Sequence, residues 1–252
     1  DMKQYAMVID LQKCVGCGTC AIACKTENNT PARKNGQTNN WADFVHETTG
    51  QFPNTNYRTL PVLCNHCDKP PCVEECPTEP TSVFKTPDGI TMRNEDRCIG
   101  CRSCQDACPY SMEDVTGEGQ YSVISYLEEG KPVHSFYEDS QELIPGITSS
   151  GKEVAMKAKS TPPYKHSYVH GEYSDSPRSN IITKCIFCDH RVKDGELPYC
   201  VEACPSSARI FGDKNDPSSK VAKALAAEKN FVLKPEAGTE PNVFYVRSYK
   251  KA

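Results

Sequence analysis

Apolar and polar positions change their period several times along the chain, and the changes mark its elements. Gln4–Asp10 (QYAMVID) is a short apolar run that predicts a strand. A helix is expected to run on to about Glu27, and Asn28–Asn40 is polar and reads as loop. Tyr57–Leu63 predicts a second strand. Ser82–Lys85 and Ile90–Arg93 flank Pro87-Asp88-Gly89, a turn signal that makes them a hairpin. From Ser111 to Asn180 no long apolar period survives, and Gly, Pro, Ser and Tyr dominate. One hairpin is expected there, Tyr121–Leu127 against Val133–Tyr137. Ile181–Thr183 and Ala208–Gly212 read as short strands. Ser218–Lys229 places Val221, Ala222, Leu225 and Ala226 at helical spacing behind a Ser/Asp-rich start. Asn242–Tyr249 predicts a closing strand.

These short elements predict an α+β chain in which strand, loop and short helix recur four times. The loops carry the chemistry. All 16 cysteines of the 252 residues fall into four groups, each opening with C-x2-C. They are Cys14, Cys17, Cys20, Cys24; Cys64, Cys67, Cys72, Cys76; Cys98, Cys101, Cys104, Cys108; and Cys185, Cys188, Cys200, Cys204. A proline follows the last cysteine of three groups, and Lys25 follows that of the first. A secreted disulfide scaffold does not require this register. Zinc ribbons want two separated pairs, whereas the first and third groups are unbroken runs of four. Cys98-x2-Cys101-x2-Cys104-x3-Cys108-Pro109 matches the ligand run of a bacterial 4Fe–4S ferredoxin. Three thiolates so spaced can fold a short loop around one corner of a cubane, while the fourth reaches a neighbouring cluster. Gly16 and Gly18 permit the tight backbone this needs. Sixteen thiolates are the complement for four 4Fe–4S clusters, a wire for single electrons.

Charge and hydropathy narrow the reading. A formal net charge of −4 offers no footprint for nucleic acid. No apolar run is long enough to span a bilayer, and no leader is visible behind Asp1. Dinucleotide, P-loop and Ser–His–Asp signatures are absent, so the sequence shows no substrate site and no catalytic residue. His66 and His190 lie inside complete cysteine groups and read as hydrogen-bonding neighbours of the ligands. Lys184, Arg102 and Arg191 flank ligands, where they either raise cluster potentials or are ordinary solvated charges. His46, His134, His166 and His170 lie in polar stretches and read as surface residues. Trp41 and Phe44 read as packing, with shielding of the first cluster from water as the alternative.

The segments LQKCVGCGTCAIACKTENN, LCNHCDKPPCVEECPT, CIGCRSCQDACPY and CIFCDHRVKDGELPYCVEACPSSARIFGD resemble the iron–sulfur subunit of the dimethyl sulfoxide reductase family. Polysulfide, tetrathionate and respiratory arsenate reductases have similar subunits, and LKPEAGTEPNVFYVRSY is similar to the longer ones. The resemblance implies two bacterial-ferredoxin-like modules, 1–56 with 181–216 and 57–110. To these it adds an interface insertion at 111–180 and an extension at 217–252. It implies that Cys14, Cys17, Cys20 and Cys204 hold one cluster, and Cys185, Cys188, Cys200 and Cys24 its neighbour. Cys64, Cys67, Cys72 and Cys108 would hold a third, and Cys98, Cys101, Cys104 and Cys76 a fourth. The implied partner is a large catalytic subunit carrying molybdenum or tungsten on two pyranopterins, in an anaerobic respiratory complex. A membrane anchor subunit or a soluble redox partner would stand at the other end. Location is expected to be periplasmic, by export with the folded partner, with the cytoplasm as second choice. The alternative is a free-standing polyferredoxin. The chain departs from the family at Thr78-Glu79-Pro80 and in its long 111–180 segment.

Overall fold

Tyr5–Asp10 forms β1, and the largest sheet is built on it. The structure is a computed structural model describing residues 3–28, 30, 37–111, 122–127, 139–142, 144–159 and 180–247. Every residue from Ala6 to Asp10 is buried because β1 has cover on both faces. The chain continues through α1 (Thr19–Asn28), β2 (Ala42–Gln51), β3 (Asn54–Leu63) and α2 (Pro71–Glu74). Next come β4 (Val83–Lys85), β5 (Thr91–Arg93), α3 (Ser103–Ala107), β6 (Ile124–Leu127) and α4 (Gly151–Ala158). Then follow β7 (Ile181–Lys184), α5 (Asp189–Lys193), α6 (Tyr199–Glu202), β8 (Arg209–Asp213) and α7 (Lys220–Ala227). After β9 (Asn230–Phe231) and a 3-10 turn at Pro235–Ala237, β10 (Val243–Val246) closes the described chain.

The main sheet has the order β8-β1-β10-β9, with β10 parallel to β1 and β8 antiparallel to it. One face of β1 gives Ala6 and Val8 to a small core with Val221 and Val246, under α7. Ser219 caps α7, its hydroxyl accepting from the Ala222 N–H at 3.0 Å. The other face gives Met7 and Ile9 to the large core, where most of the cysteines lie. Between these layers the sheet carries the loops that open at its ends.

The structure adds to the sequence reading at three places. Residues 42–51 form β2, which pairs with β3 from Ala42↔Leu63 to Gln51↔Asn54. Its outer half is exposed and polar, so no alternation announced it. β6 pairs with β7, Ile124↔Lys184 to Leu127↔Ile181. The expected partner, residues 133–137, lies outside the described residues, as do His134, His166 and His170. Within 111–180, α4 is a helix that composition hid. Ser150 caps it at 3.1 Å, and Glu153 and Lys157 pair across one turn.

Asp68 ties the sheet to the second cysteine loop. Its carboxylate accepts from Gln4 Nε2 at 2.6 Å, Asn242 Nδ2 at 2.7 Å and Lys214 Nζ at 3.1 Å. Burial pushes its pKa up, but Asn242, Lys214 and Lys85 outweigh that and leave it below the ordinary carboxylate value. A depressed carboxylate contributes stability above its unfolded pKa of about 3.9, lost as pH falls through the folded value. Asp68→Asn should cost about 1 kcal/mol at neutral pH, below the ~1.5–3 kcal/mol of a fully buried charged bond because the group keeps part of its water. Urea unfolding of the loaded protein at pH 7 checks this: the variant's midpoint should fall while the slope stays unchanged.

Candidate iron–sulfur centres

β1, β3, β5 and β7 each lead into a cysteine loop, and each loop shares its cysteines with another: the first with the fourth and the second with the third. The loop after β1 and the start of α1 place Cys14, Cys17 and Cys20 around a cavity that Cys204 completes (set I). Ile9, Phe44, Pro61 and Arg209 also line it, and its empty space is about 330 Å³. Cys64, Cys67, Cys72 and Cys108 line a second cavity of about 330 Å³, with Thr91, Tyr110 and Ile124 (set III). Cys76, Cys98, Cys101 and Cys104 line a third of about 280 Å³, with Val83, Arg102 and Ile182 (set IV). The remaining four are neighbours too: Cys188, Cys185 and Cys200 all act on Cys24 (set II).

The sets stand in a row. Cys20 acts on Cys200, joining set I to set II. Cys64 acts on Cys185, joining II to III, and Cys104 acts on Cys72, joining III to IV. All eight cysteines of sets II and III are buried, whereas Cys17 of set I and Cys101 of set IV are exposed. Between the two inner sets, His66 stacks on Phe187 with ring centroids 3.6 Å apart.

The donors fit iron–sulfur clusters. All sixteen are sulfur, and none is in a disulfide. Each of these three cavities is walled by four cysteines and mainly apolar neighbours, a setting that suits a compact sulfur-bound group. Among the described residues no group converges on a single metal ion. Hydrogen-bond donors point at sulfur. The Ser82 N–H donates to Cys76 Sγ and the Ala208 N–H to Cys204 Sγ, each at 3.3 Å, and the Phe187 N–H donates to Cys185 Sγ at 3.4 Å. Asn28 Nδ2 lies 3.6 Å from Cys24 Sγ and 3.9 Å from Cys188 Sγ. In the end sets a hydroxyl two residues on meets each of Cys17, Cys76, Cys101 and Cys204, at 3.3–3.7 Å. The Thr19 hydroxyl and N–H hold the Cys17 thiol below its ordinary pKa. Burial instead pushes Cys67, Cys104 and Cys188 up to about 12 and Cys108 up to about 11. These buried thiols keep their protons at neutral pH until a cationic metal displaces them.

The other sequence candidates separate. His66 Nδ1 accepts from the Thr91 N–H at 3.1 Å, fastening the second cysteine loop to β5, and His190 Nε2 meets Glu27 at 2.7 Å, fastening α5 to α1. Lys184 is fully buried and donates to the carbonyls of Thr91 and Cys185. Arg102 lies 3.9 Å over the Tyr126 ring, and Arg191 pairs with Glu27, Glu196 and Glu202. Trp41 donates to Thr183 Oγ1 at 2.8 Å, while Phe44 lines the cavity of set I. His46 stacks on Tyr57 and hydrogen-bonds its hydroxyl at 2.7 Å. Sequence reasoning missed Asn28 and Arg209, whose roles depend on cysteines distant in the chain. The repeated C-x-[Ser/Thr] was the available sign for the hydroxyls.

Gly100 has φ +70°, and a side chain there would press on the Asn180 carbonyl oxygen and Tyr126. Gly18 has φ +79° with nothing near. Gly100→Ala should therefore cost about 1–3 kcal/mol and Gly18→Ala about 1. Thermal iron release of the two loaded variants checks the order.

Comparison with known proteins gives the same chemistry. A 4Fe–4S dicluster domain model matches residues 55–122 and 131–214, and a 4Fe–4S binding domain model matches 5–26. The chain is 43% identical to the arsenate respiratory reductase iron–sulfur subunit of Shewanella sp. strain ANA-3, over 98% of this chain and 97% of that one. It is 38% identical to a selenate reductase subunit of Mesobacillus selenatarsenatis, over 96% of this chain and 72% of that one. A tetrathionate reductase subunit of Salmonella typhimurium is 34% identical, with 96% and 72% covered.

Proposed function

The chain belongs to the 4Fe–4S dicluster family of reductase iron–sulfur subunits, and from that premise we propose that it relays electrons within a respiratory oxidoreductase complex. The observation that carries this reading is the row of four cysteine sets, buried in the middle and exposed at both ends. A bound 4Fe–4S cluster supplies a one-electron couple, tuned by hydrogen bonds to sulfur, exposure and charge. The chain's own residues do the rest. Sixteen thiolates hold four clusters, with sets I to IV as the ligand groups. The large core excludes water from sets II and III, while Cys17 and Cys101 leave each end within reach of a partner. Sets I and II make one ferredoxin-like module (1–56 with 181–216), and sets III and IV the other (57–110). Residues 111–180 serve as interface, and 217–252 as an extension.

The relatives are named as subunits of reductases, so this chain's partner is proposed as a large subunit with molybdenum or tungsten on two pyranopterins. A membrane anchor or soluble redox protein serves the other end, and the complex is placed in the periplasm. Anaerobic affinity purification of the tagged chain from its native host tests the partnership. A large pterin-containing protein should co-elute in a fixed ratio. Elution of a loaded chain alone, reducing small carriers by itself, would favour a free polyferredoxin instead.

A further inference from the structure

The row has an internal two-fold correspondence. The Ala208 N–H meets Cys204 Sγ as the Ser82 N–H meets Cys76 Sγ, so Arg209 corresponds to Val83. Lys184 precedes Cys185 as Leu63 precedes Cys64. His66 and Phe187, each third in its C-x2-C loop and each at positive φ, stack across the centre. Architecture repeats, but charge does not: the two corresponding positions are cationic on one side and apolar on the other.

Both cations are buried at joints between sets. Arg209 is 4% exposed and lines the cavity of set I. Its Nη1 donates to Met7 Sδ at 3.6 Å, while Nη2 is buried with no hydrogen-bond partner. Its charge acts on Cys14 of set I and on Cys24 and Cys200 of set II. Lys184 is 0% exposed, and its charge acts on Cys185 of set II and on Cys72 and Cys108 of set III. At set IV the cation is Arg102, half-buried at the cavity rim and stacked on Tyr126, where solvent screens it. Val83, 1% exposed, stands in the place of Arg209.

We propose that Arg209 and Lys184 are shared potential-setting residues: Arg209 raises the reduction potentials at sets I and II, Lys184 those at sets II and III, and set IV receives neither contribution. Reduction adds one negative charge at a set, and a fixed cation beside it favours that state without moving a proton. In a poorly screened interior this effect is larger than at the surface. The inference rests on the sets holding clusters, and iron content reports that premise separately.

Redox titration of the loaded protein followed by paramagnetic resonance tests it. Arg209→Gln should lower two of the four couples by at least a tenfold change in the reduced-to-oxidised ratio at fixed potential, about 59 mV. Lys184→Met should lower two by a similar factor. One couple should move in both variants and one in neither. Arg209→Lys, which keeps the charge, should stay within threefold of the wild type. Should a neutral variant lose iron, Arg209→Met or Lys184→Gln takes its place. Unmoved couples, four couples moving together, or Arg209→Lys behaving as a neutral variant would overturn the proposal.

Discussion

Cys98→Ser should lose or convert one cluster, and electron delivery through the subunit should fall by at least about tenfold, equivalent to 1.4 kcal/mol or more on the barrier. Cys98 belongs to set IV, one end of the row, and lines its cavity beside Cys76, Cys101 and Cys104. A serine oxygen is a harder ligand than thiolate and suits iron–sulfur chemistry less well. The other twelve cysteines lie in sets I to III, so three clusters should keep their resonance signals. The catalytic partner should retain its turnover with artificial donors that bypass the row. Measuring both activities on one preparation separates a broken relay from a damaged enzyme. Unchanged flow through the subunit would show that set IV is not on the path.

Glu95→Ala should destabilise the fold by about 3–5 kcal/mol, the cost of leaving one half of a buried ion pair unpartnered. Arg93 Nη1 donates to Glu95 Oε1 at 2.6 Å, and the two side chains are 2% and 1% exposed. The Arg93 guanidinium also lies 5.6 Å from the Trp41 ring, and Trp41 bonds Thr183 on β7. The pair thus fastens the β4–β5 hairpin to the strand that feeds Cys185. Removing both charges together, as Arg93→Met with Glu95→Leu, should recover most of the loss, because neither charge is left stranded. Urea-induced iron release of the single and double variants checks both statements. A double variant as weak as the single would mean that packing, not the stranded charge, sets the cost.

What was legible in the sequence was local. The cysteine spacing is a property of single loops, and β1, the β4–β5 hairpin, β8 and α7 announced themselves through short apolar runs and turn residues. What was not legible depends on distant partners. β2 is half polar and exists because ten residues of β3 lie beside it. β6 has no local partner among the described residues and pairs across more than fifty positions with β7. Which cysteine joins which set did not follow from spacing, since Cys204 meets Cys14 across about three quarters of the chain. Arg209 looked like one charge in a short strand, and only the fold puts it between Cys20 and Cys200.

Anaerobic iron and sulfide analysis of the purified chain, with paramagnetic resonance after reduction, decides whether these sixteen thiolates hold iron–sulfur clusters. About sixteen irons and as many inorganic sulfides per chain are expected, with signals from interacting reduced clusters. Zinc in place of iron, or cysteines found paired as disulfides after anaerobic isolation, would contradict the assignment.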